Sequence, residues 1–146
     1  TEFVTRHSVT EAMRKRSRVL LVEDNPVNQR VASHILSKLG VSVEIASGGQ
    51  QALEALARAD YDLVFSDIEM PGMDGYELTG KIRGLSGSVR TVPVVAMTAH
   101  ALKGMREKCL GAGLDDYVSK PIQIERLTEV LDRWLGRRSE IGVPSD

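Results

Sequence analysis

Short runs of apolar residues, each closed by polar or turn-forming residues, recur along the chain and predict five β-strands. Most of the runs are apolar almost throughout, which is typical of strands buried on both faces, whereas residues 41–46 alternate like a half-exposed strand. The third run ends at Asp67, a carboxylate that is followed by the Pro- and Gly-rich residues 70–75. The predicted strands are residues 19–22, 41–46, 62–67, 92–97 and 117–119.

Between these runs, apolar residues recur at helical spacing and predict five helices. Asn25 and Pro26 form an N-cap and first-turn pair, and residues 47–50 and 74–77 both have the form of a capping box. The residues predicted to face the core are Val27, Val31, Ile35, Leu36, Leu39, Leu53, Leu56, Leu78, Ile82, Leu85, Leu102, Met105, Cys109, Leu110, Ile124, Leu127, Leu131 and Trp134. Strands and helices that alternate with short connections predict a parallel α/β sheet with helices on both faces.

Composition limits the classes of protein to which the chain can belong. With 146 residues, of which 42% are hydrophobic and 27% charged, and a net charge of -1, the chain has room for one domain and no basic excess for nucleic acid. No apolar run approaches the roughly 20 residues that span a bilayer, so we expect no membrane contact by this domain. Cys109 is the single cysteine, which favours a reducing, cytoplasmic setting. We expect a linker or N-terminal extension over residues 1–16, the domain over 17–136 and a flexible tail over 137–146.

Polar side chains capable of chemistry follow four of the predicted strands. Because parallel strands open their carboxyl ends onto one edge of the sheet, these side chains are expected to meet there. Crowded carboxylates repel one another by roughly 4 kcal/mol per close pair at an effective dielectric near 20, so we expect a hard cation such as Mg²⁺ among them. A carboxylate, a cation, a lysine and a hydroxyl around one pocket suit phosphoryl transfer onto the carboxylate. The candidate residues are Glu23, Asp24, Asp67, Thr98 and Lys120.

Four separated motifs resemble, in order and spacing, the receiver domain of two-component response regulators. They are residues 20–25, Asp67 with residues 70–75, residues 94–99 and residues 119–121. Residues 25–29 and 113–117 look most like receivers fused to hybrid sensor histidine kinases, and the resemblance covers about residues 17–136. It implies a flavodoxin-like (βα)5 fold with strand order 2-1-3-4-5.

The resemblance also implies a phosphoacceptor and a metal site. Asp67 would accept a phosphoryl group from the phosphohistidine of a histidine kinase or a histidine phosphotransfer domain. Asp24 and Asp67 would bind Mg²⁺, for which Mn²⁺ could substitute, with Glu23 acting through water and the backbone carbonyl of Glu69 as a further ligand. Glu23 stands where many members of the family have Asp, and the metal site stays credible with it.

A switch is the third implication of the resemblance. Thr98 and Tyr117 match the residue pair that moves on phosphorylation, although a tyrosine ring beside a buried strand also fits plain packing. Lys120 matches the lysine that contacts the phosphate, and a cis peptide bond is expected between Lys120 and Pro121. Members of the family often associate weakly through their last two helices and last strand.

Two other classes of protein share part of this pattern with a signalling module. A metal-dependent phosphohydrolase of the haloacid dehalogenase type would use Asp67 as its nucleophile, but it usually carries an Asp two positions on, where this chain has Glu69, and a cap for the substrate. A flavodoxin-like FMN binder would need a Ser/Thr-rich phosphate loop after the first strand, and no such loop follows residues 19–22 in this chain. We therefore expect a receiver that is not an enzyme in the ordinary sense, and that is more readily a piece of a hybrid histidine kinase than a stand-alone regulator.

Overall fold

Five parallel strands form the central sheet in the order β2-β1-β3-β4-β5. In this computed structural model the described residues are 11–142, with side chains described as far as residue 135. The sheet and its strand order confirm the prediction, and the strand limits agree to within two residues, as is usual for element ends. The strands are β1 (Arg18–Val22), β2 (Ser42–Ala46), β3 (Leu63–Asp67), β4 (Val94–Thr98) and β5 (Asp116–Ser119).

Helices connect the strands and cover both faces of the sheet. Their bounds are α1 (residues 11–16), α2 (Pro26–Lys38), α3 (Gly49–Arg58), α4 (Gly75–Arg83), a 3₁₀ turn (Ser88–Thr91), α5 (Met105–Gly111) and α6 (Ile124–Gly142). Helical residues thus extend past the proposed domain limits at residues 17 and 136, and those limits stay a prediction. Within residues 11–142, none of the helices combines the length and the apolar character that crossing a membrane requires.

The core lies in two layers because successive side chains of each buried strand point to opposite faces. Leu20 and Val22 belong to the layer that packs against α3, α4 and α5, whereas Val19 and Leu21 belong to the layer beneath α2 and α6. All four side chains are completely buried. This double coverage explains why the runs of β1, β3 and β4 read as continuous apolar sequence.

Several helix residues predicted to face the core are instead exposed. Successive residues of a helix are about 100° apart around its axis, so Val27 and Val31 lie on a different side of α2 from its buried stripe. Leu102 precedes α5, and Ile124 is the first residue of α6. The buried contacts of α2 are made by Ala32 and Leu36. The prediction was wrong for Val27, Val31, Leu102, Leu110 and Ile124, which are 41–71% exposed.

Of the two capping boxes predicted from the sequence, one is present and the other is not. Asp74 Oδ1 accepts a hydrogen bond from the backbone N–H of Glu77, whose carboxylate accepts one from the N–H of Asp74, so the capping box of α4 is confirmed. The capping box predicted for residues 47–50 is wrong, because Gly48 is the N-cap of α3 and no side chain caps it. The N–H of Ser47 donates to the side chain of Gln51 instead.

Candidate functional site

The predicted site residues gather at the carboxyl edge of the sheet. Asp67 and Thr98 are the last residues of β3 and β4, while Glu23 and Lys120 directly follow β1 and β5. These four strands are neighbours in the sheet, and their parallel register brings the four ends side by side. The position is the one at which open α/β sheets bind ligands.

Three carboxylates form a compact acidic cluster at this edge. Glu23, Asp24 and Asp67 each offer a carboxylate oxygen, and the three oxygens lie within 4.8 Å of one another. Glu23 and Asp67 are buried, with 2% and 4% of their surface exposed, whereas Asp24 is exposed. The cluster therefore opens to solvent on the Asp24 side, and an oxygen-only donor set of this kind suits a hard divalent cation.

Lys120 supplies a positive charge inside the cluster. Its Nζ lies 3.0 Å from Oε1 of Glu23 and 3.3 Å from Oδ1 of Asp67. Burial alone would lower the pKa of the Lys120 ammonium, but the hydrogen bond to Glu23 and the charges of both carboxylates outweigh it and raise the pKa. Lys120 thus stays charged, yet one ammonium does not balance three carboxylates.

The loop after β3 turns back tightly on Asp67. Oδ1 of Asp67 accepts a hydrogen bond of 3.2 Å from the N–H of Glu69, and the N–H of Gly75 donates to the carbonyl of Ile68. A Cβ at position 75 would lie 2.7 Å from the backbone oxygen of Asp67, so only glycine allows this approach. The arrangement fixes the backbone on both sides of the carboxylate.

Thr98 is buried beside the cluster, and its hydroxyl is already oriented. Oγ1 accepts a 2.9 Å hydrogen bond from the N–H of His100, and because this bond uses an oxygen lone pair, the hydroxyl can still donate its own proton. The imidazole of His100 in turn lies 3.5 Å from the carboxylate of Glu69, so the loops that follow β3 and β4 touch at the mouth of the site.

Tyr117 lies on β5 and is partly buried, outside the carboxylate cluster itself. Its partner in the sheet is Ala96, two residues before Thr98, so the side chains of Tyr117 and Thr98 point to the same face. Arg126 donates to the backbone carbonyl of Tyr117 over 2.8 Å and also to the buried carboxylate of Asp116. The backbone of β5 is therefore held by α6 while the ring stands on the other face.

Several contacts of the site escaped the sequence reasoning. Nε2 of Gln29 donates to the backbone carbonyl of Glu23 over 2.7 Å and also lies 3.4 Å from Oγ of Ser47, and the N–H of Asn25 donates to the Glu23 carboxylate. The one sequence signal for these contacts is that Gln29 lies in the first turn of α2, shortly after Glu23 and Asp24. The cis peptide bond predicted before Pro121 is confirmed.

A family model places the chain in a known class of signalling protein. The model for the response regulator receiver domain matches residues 19–132. The chain therefore belongs to the response regulator receiver domain family, of the kind found in hybrid histidine kinases that work in phosphorelay signalling. The relatives described below do not support the phosphohydrolase alternative.

Individual relatives and solved structures agree with this assignment. The signal transduction histidine-protein kinase BarA of Escherichia coli K12 is 40% identical over 126 residues, which cover 86% of this chain and only 14% of BarA. The receiver domain of the sensor histidine kinase PA1611 from Pseudomonas aeruginosa PAO1, solved with magnesium coordinated in its active-site cleft, is 44% identical with a TM-score of 0.75, over 82% of this chain and 98% of that one. The receiver domain of the response regulator Ssk1 of Saccharomyces cerevisiae was crystallised together with the histidine phosphotransfer protein Ypd1. A chain of that co-crystal structure is 28% identical to this chain with a TM-score of 0.76, and the match covers 85% of this chain and 92% of that one.

Proposed function

We propose that Asp67 is the phosphoacceptor of this receiver and takes its phosphoryl group from a phosphohistidine of a histidine kinase or a histidine phosphotransfer domain. The observation that carries the proposal is the position of the Asp67 carboxylate, which lies within 4.8 Å of two other carboxylates and 3.3 Å from the Lys120 ammonium. Positive charge beside a carboxylate at an open sheet edge suits the binding of a phosphoryl group.

The transfer balances with groups that the chain and its donor supply. A carboxylate oxygen of Asp67 forms a bond to phosphorus, the bond from phosphorus to the donor imidazole nitrogen breaks, and its electron pair stays on that nitrogen. The Glu69 N–H and the Lys120 ammonium both contact Oδ1 of Asp67, so we assign the attack to Oδ2. The products are an aspartyl phosphate and a free histidine, and the Lys120 ammonium holds a phosphoryl oxygen.

The donor set fits a divalent cation, Mg²⁺ first and Mn²⁺ as a substitute. We assign its ligands to the carboxylates of Asp24 and Asp67 and the backbone carbonyl of Glu69, with Glu23 acting through water. When bound, the cation neutralises charge on the phosphoryl oxygens. Glu23 keeps its carboxylate in place through Lys120 and the N–H of Asn25.

Thr98 and Tyr117 form the proposed switch. The Thr98 hydroxyl is free to donate to a phosphoryl oxygen on Asp67, and moving toward it breaks the hydrogen bond that Oγ1 accepts from His100. Because the Tyr117 ring lies on the same face of the sheet, it follows into the space that the hydroxyl leaves. The phosphoryl group thereby biases two conformations of the β4 and β5 edge.

Exposed apolar side chains give the proposed docking surfaces. Val27 and Val31 of α2 follow the acidic residues Glu23 and Asp24 and are 61% and 48% exposed. We therefore assign them to the surface on which the phosphohistidine donor docks. Leu110 on α5 and Ile124 on α6 are also exposed and suit a weak homodimer through these helices and β5. We further propose that the chain is part of a hybrid histidine kinase and acts in the cytoplasm, with residues 17–136 as the receiver.

Intact-mass spectrometry tests the acceptor. The chain is treated with acetyl phosphate, a small phosphoryl donor, with and without Mg²⁺, and Asp67→Asn is treated in parallel. We expect one added phosphoryl group on the wild type only when Mg²⁺ is present, and none on the variant. A wild type that gains nothing, or a variant that gains as much as the wild type, would refute the proposal.

A further inference from the structure

The side chain of Met73 packs directly over Gly49, where helix α3 begins. A Cβ built on Gly49 would lie 2.4 Å from Sδ of Met73, 3.0 Å from its Cγ and 3.1 Å from its Cβ. The distance to Sδ is shorter than real Cβ contacts, and the distances to Cγ and Cβ, the part of Met73 nearest its backbone, are tighter than most of them. A side chain at position 49 therefore forces Sδ of Met73 to move and presses on its Cγ and Cβ.

The glycine at position 49 is explained by this contact and by nothing in its own backbone. Glycine is needed where the backbone has a positive φ or where another group approaches closely. Among the described residues, positive φ angles occur at Gly40, Gly72, Gly87, Gly104 and Gly113, and Gly49 is not one of them. The space over Gly49 is thus a slot for the Met73 side chain.

Met73 stands near the far end of the loop that carries Glu69. The N–H of Met73 donates to the carbonyl of Pro71, and the loop closes at its base where the N–H of Gly75 donates to the carbonyl of Ile68. The first half of the loop is also anchored outside itself, because the N–H of Ile68 donates to the carbonyl of Met97 and Ile68 and Met70 are buried in the core. The contact of Met73 with Gly49 ties the loop to another element.

The turn before α3 is itself connected, through Gln29, to the backbone of Glu23, the first residue of the cluster. Ser47 lies 3.4 Å from the Gln29 amide, which donates over 2.7 Å to the backbone carbonyl of Glu23. The turn before α3 therefore contacts the loop after β1 through Gln29 and the loop after β3 through Met73. It is one structural link between the loops that follow β1 and β3, beside the Lys120 ammonium that contacts both Glu23 and Asp67.

We infer that Met73 is a positioning residue for phosphoryl transfer to Asp67. Seated over Gly49, it holds the loop that bears Glu69 at a fixed distance from Glu23 and Asp24, and so sets the geometry of the proposed metal ligands. The inference rests on the proposed function. Met73 does not touch the reacting atoms, and it affects the rate of phosphorylation only through the position of the loop.

The test compares Gly49→Ala, Met73→Ala and the double variant with the matched control Gly80→Ala. Gly80 is an exposed residue of α4 with nothing within 4 Å of a Cβ built on it, so it reports the effect of the same added methyl group in open space. Three quantities are measured: the apparent Mg²⁺ dissociation constant from an amide NMR titration, the rate of phosphorylation by acetyl phosphate at saturating Mg²⁺, and the urea midpoint.

We expect Gly49→Ala and Met73→Ala each to weaken Mg²⁺ binding and to slow phosphorylation by about tenfold, because a loop displaced by less than an ångström loses alignment. The double variant is expected to match Met73→Ala, since both changes remove the same contact. Gly80→Ala is expected to behave like the wild type.

The results separate the two proposals. If the wild type takes up no phosphoryl group, the proposed function fails and this inference fails with it. If the wild type is phosphorylated and both single variants bind Mg²⁺ and react as Gly80→Ala does, the inference alone is overturned, even where their urea midpoints fall, because Met73 then serves only packing. Fully additive losses in the double variant would also overturn it.

Discussion

Nζ of Lys120 lies 3.0 Å from Oε1 of Glu23, although 97 positions separate the two residues in the sequence. Only 2% of the Glu23 side chain is exposed, so its carboxylate depends on protein partners rather than on water. The pair joins the strand ends of β1 and β5, which are not neighbours in the sheet, and it spans the position of Asp67 between them. A residue proposed to contact phosphate is therefore also a structural partner.

Removing the Lys120 charge is expected to destabilise the fold. In Lys120→Met the buried Glu23 carboxylate loses its ion pair, which costs about 3 kcal/mol in the free energy of unfolding. The double variant Lys120→Met with Glu23→Gln should recover at least half of this loss, because the buried charge is gone. Urea unfolding measures both, with Lys103→Met at an exposed position as the matched control. A double variant less stable than Lys120→Met would show that the pairing is unimportant.

Neutralising Asp67 is expected to have the opposite effect on stability. Asn at this position keeps an oxygen for the Glu69 N–H and for Lys120 but removes one of three charges that lie within 4.8 Å. In the presence of a chelator, Asp67→Asn should raise the melting temperature by about 3 °C, corresponding to roughly 1 kcal/mol. Asp60→Asn, at an exposed position outside the cluster, serves as the control in the same scan. An unchanged or lower melting temperature would count against strong repulsion in the cluster.

The sheet and the location of the site could be predicted from sequence because both follow from local patterns. The apolar runs of β1, β3 and β4 are buried on both faces, and parallel strands necessarily share one carboxyl edge, so Asp67 and Lys120 had to approach each other there. Side-chain pairing is decided by the exact course of loops. For this reason neither the ion pair of Lys120 with Glu23 nor the seat of Met73 over Gly49 could be seen in the sequence.

Helix exposure was the other limit of the sequence reasoning. Helical spacing identifies an apolar stripe, but it does not say how much of that stripe lies over the sheet. Leu102 precedes α5 and is 71% exposed, while Leu127 on α6 is completely buried, although both fit a helical repeat. Apolar helix residues that the sheet leaves uncovered become surface and are then available to partners.

Tyr61 provides a test of the electrostatics at the opposite edge of the sheet. Burial, followed by the 2.6 Å hydrogen bond to Glu44 and the charge of that carboxylate, raises the pKa of Tyr61 from 10.0 to about 12. The folded chain thus holds this proton more tightly than the unfolded chain, so the stabilising contribution is complete below pH 10.0 and is lost as the pH rises toward about 12.

Absorbance titration of the phenolate band measures this pKa. The chain has three tyrosines, and the titration step near pH 12 should be missing in Tyr61→Phe. In Glu44→Gln the same step should move to lower pH, because the negative charge that opposes ionisation is removed. If the Tyr61 step is unchanged in Glu44→Gln, burial alone accounts for the raised pKa.

Arg83 is expected to be a main stabilising contact at the amino edge of the sheet. Its guanidinium donates to the backbone carbonyls of Arg90, Val92 and Gly113. It also donates to the carboxylate of Asp115, which accepts a further hydrogen bond from the N–H of Val94. Because lysine cannot reproduce this planar set of donors, Arg83→Lys should lower the free energy of unfolding by about 2 kcal/mol. The exposed Arg106→Lys is the control for urea unfolding. A loss equal to that of the control would show that a single positive charge suffices.

The identity of the phosphorylated residue tests the assignment of Asp67 most directly. After treatment with acetyl phosphate and Mg²⁺, borohydride reduces an acyl phosphate to an alcohol, and peptide mass spectrometry then locates the changed residue. We predict reduction at Asp67 alone, with Glu23 and Asp24 unchanged, and no reduced residue when Mg²⁺ is replaced by a chelator. Reduction at Asp24, at Glu23 or at any other carboxylate in place of Asp67 would contradict the assignment.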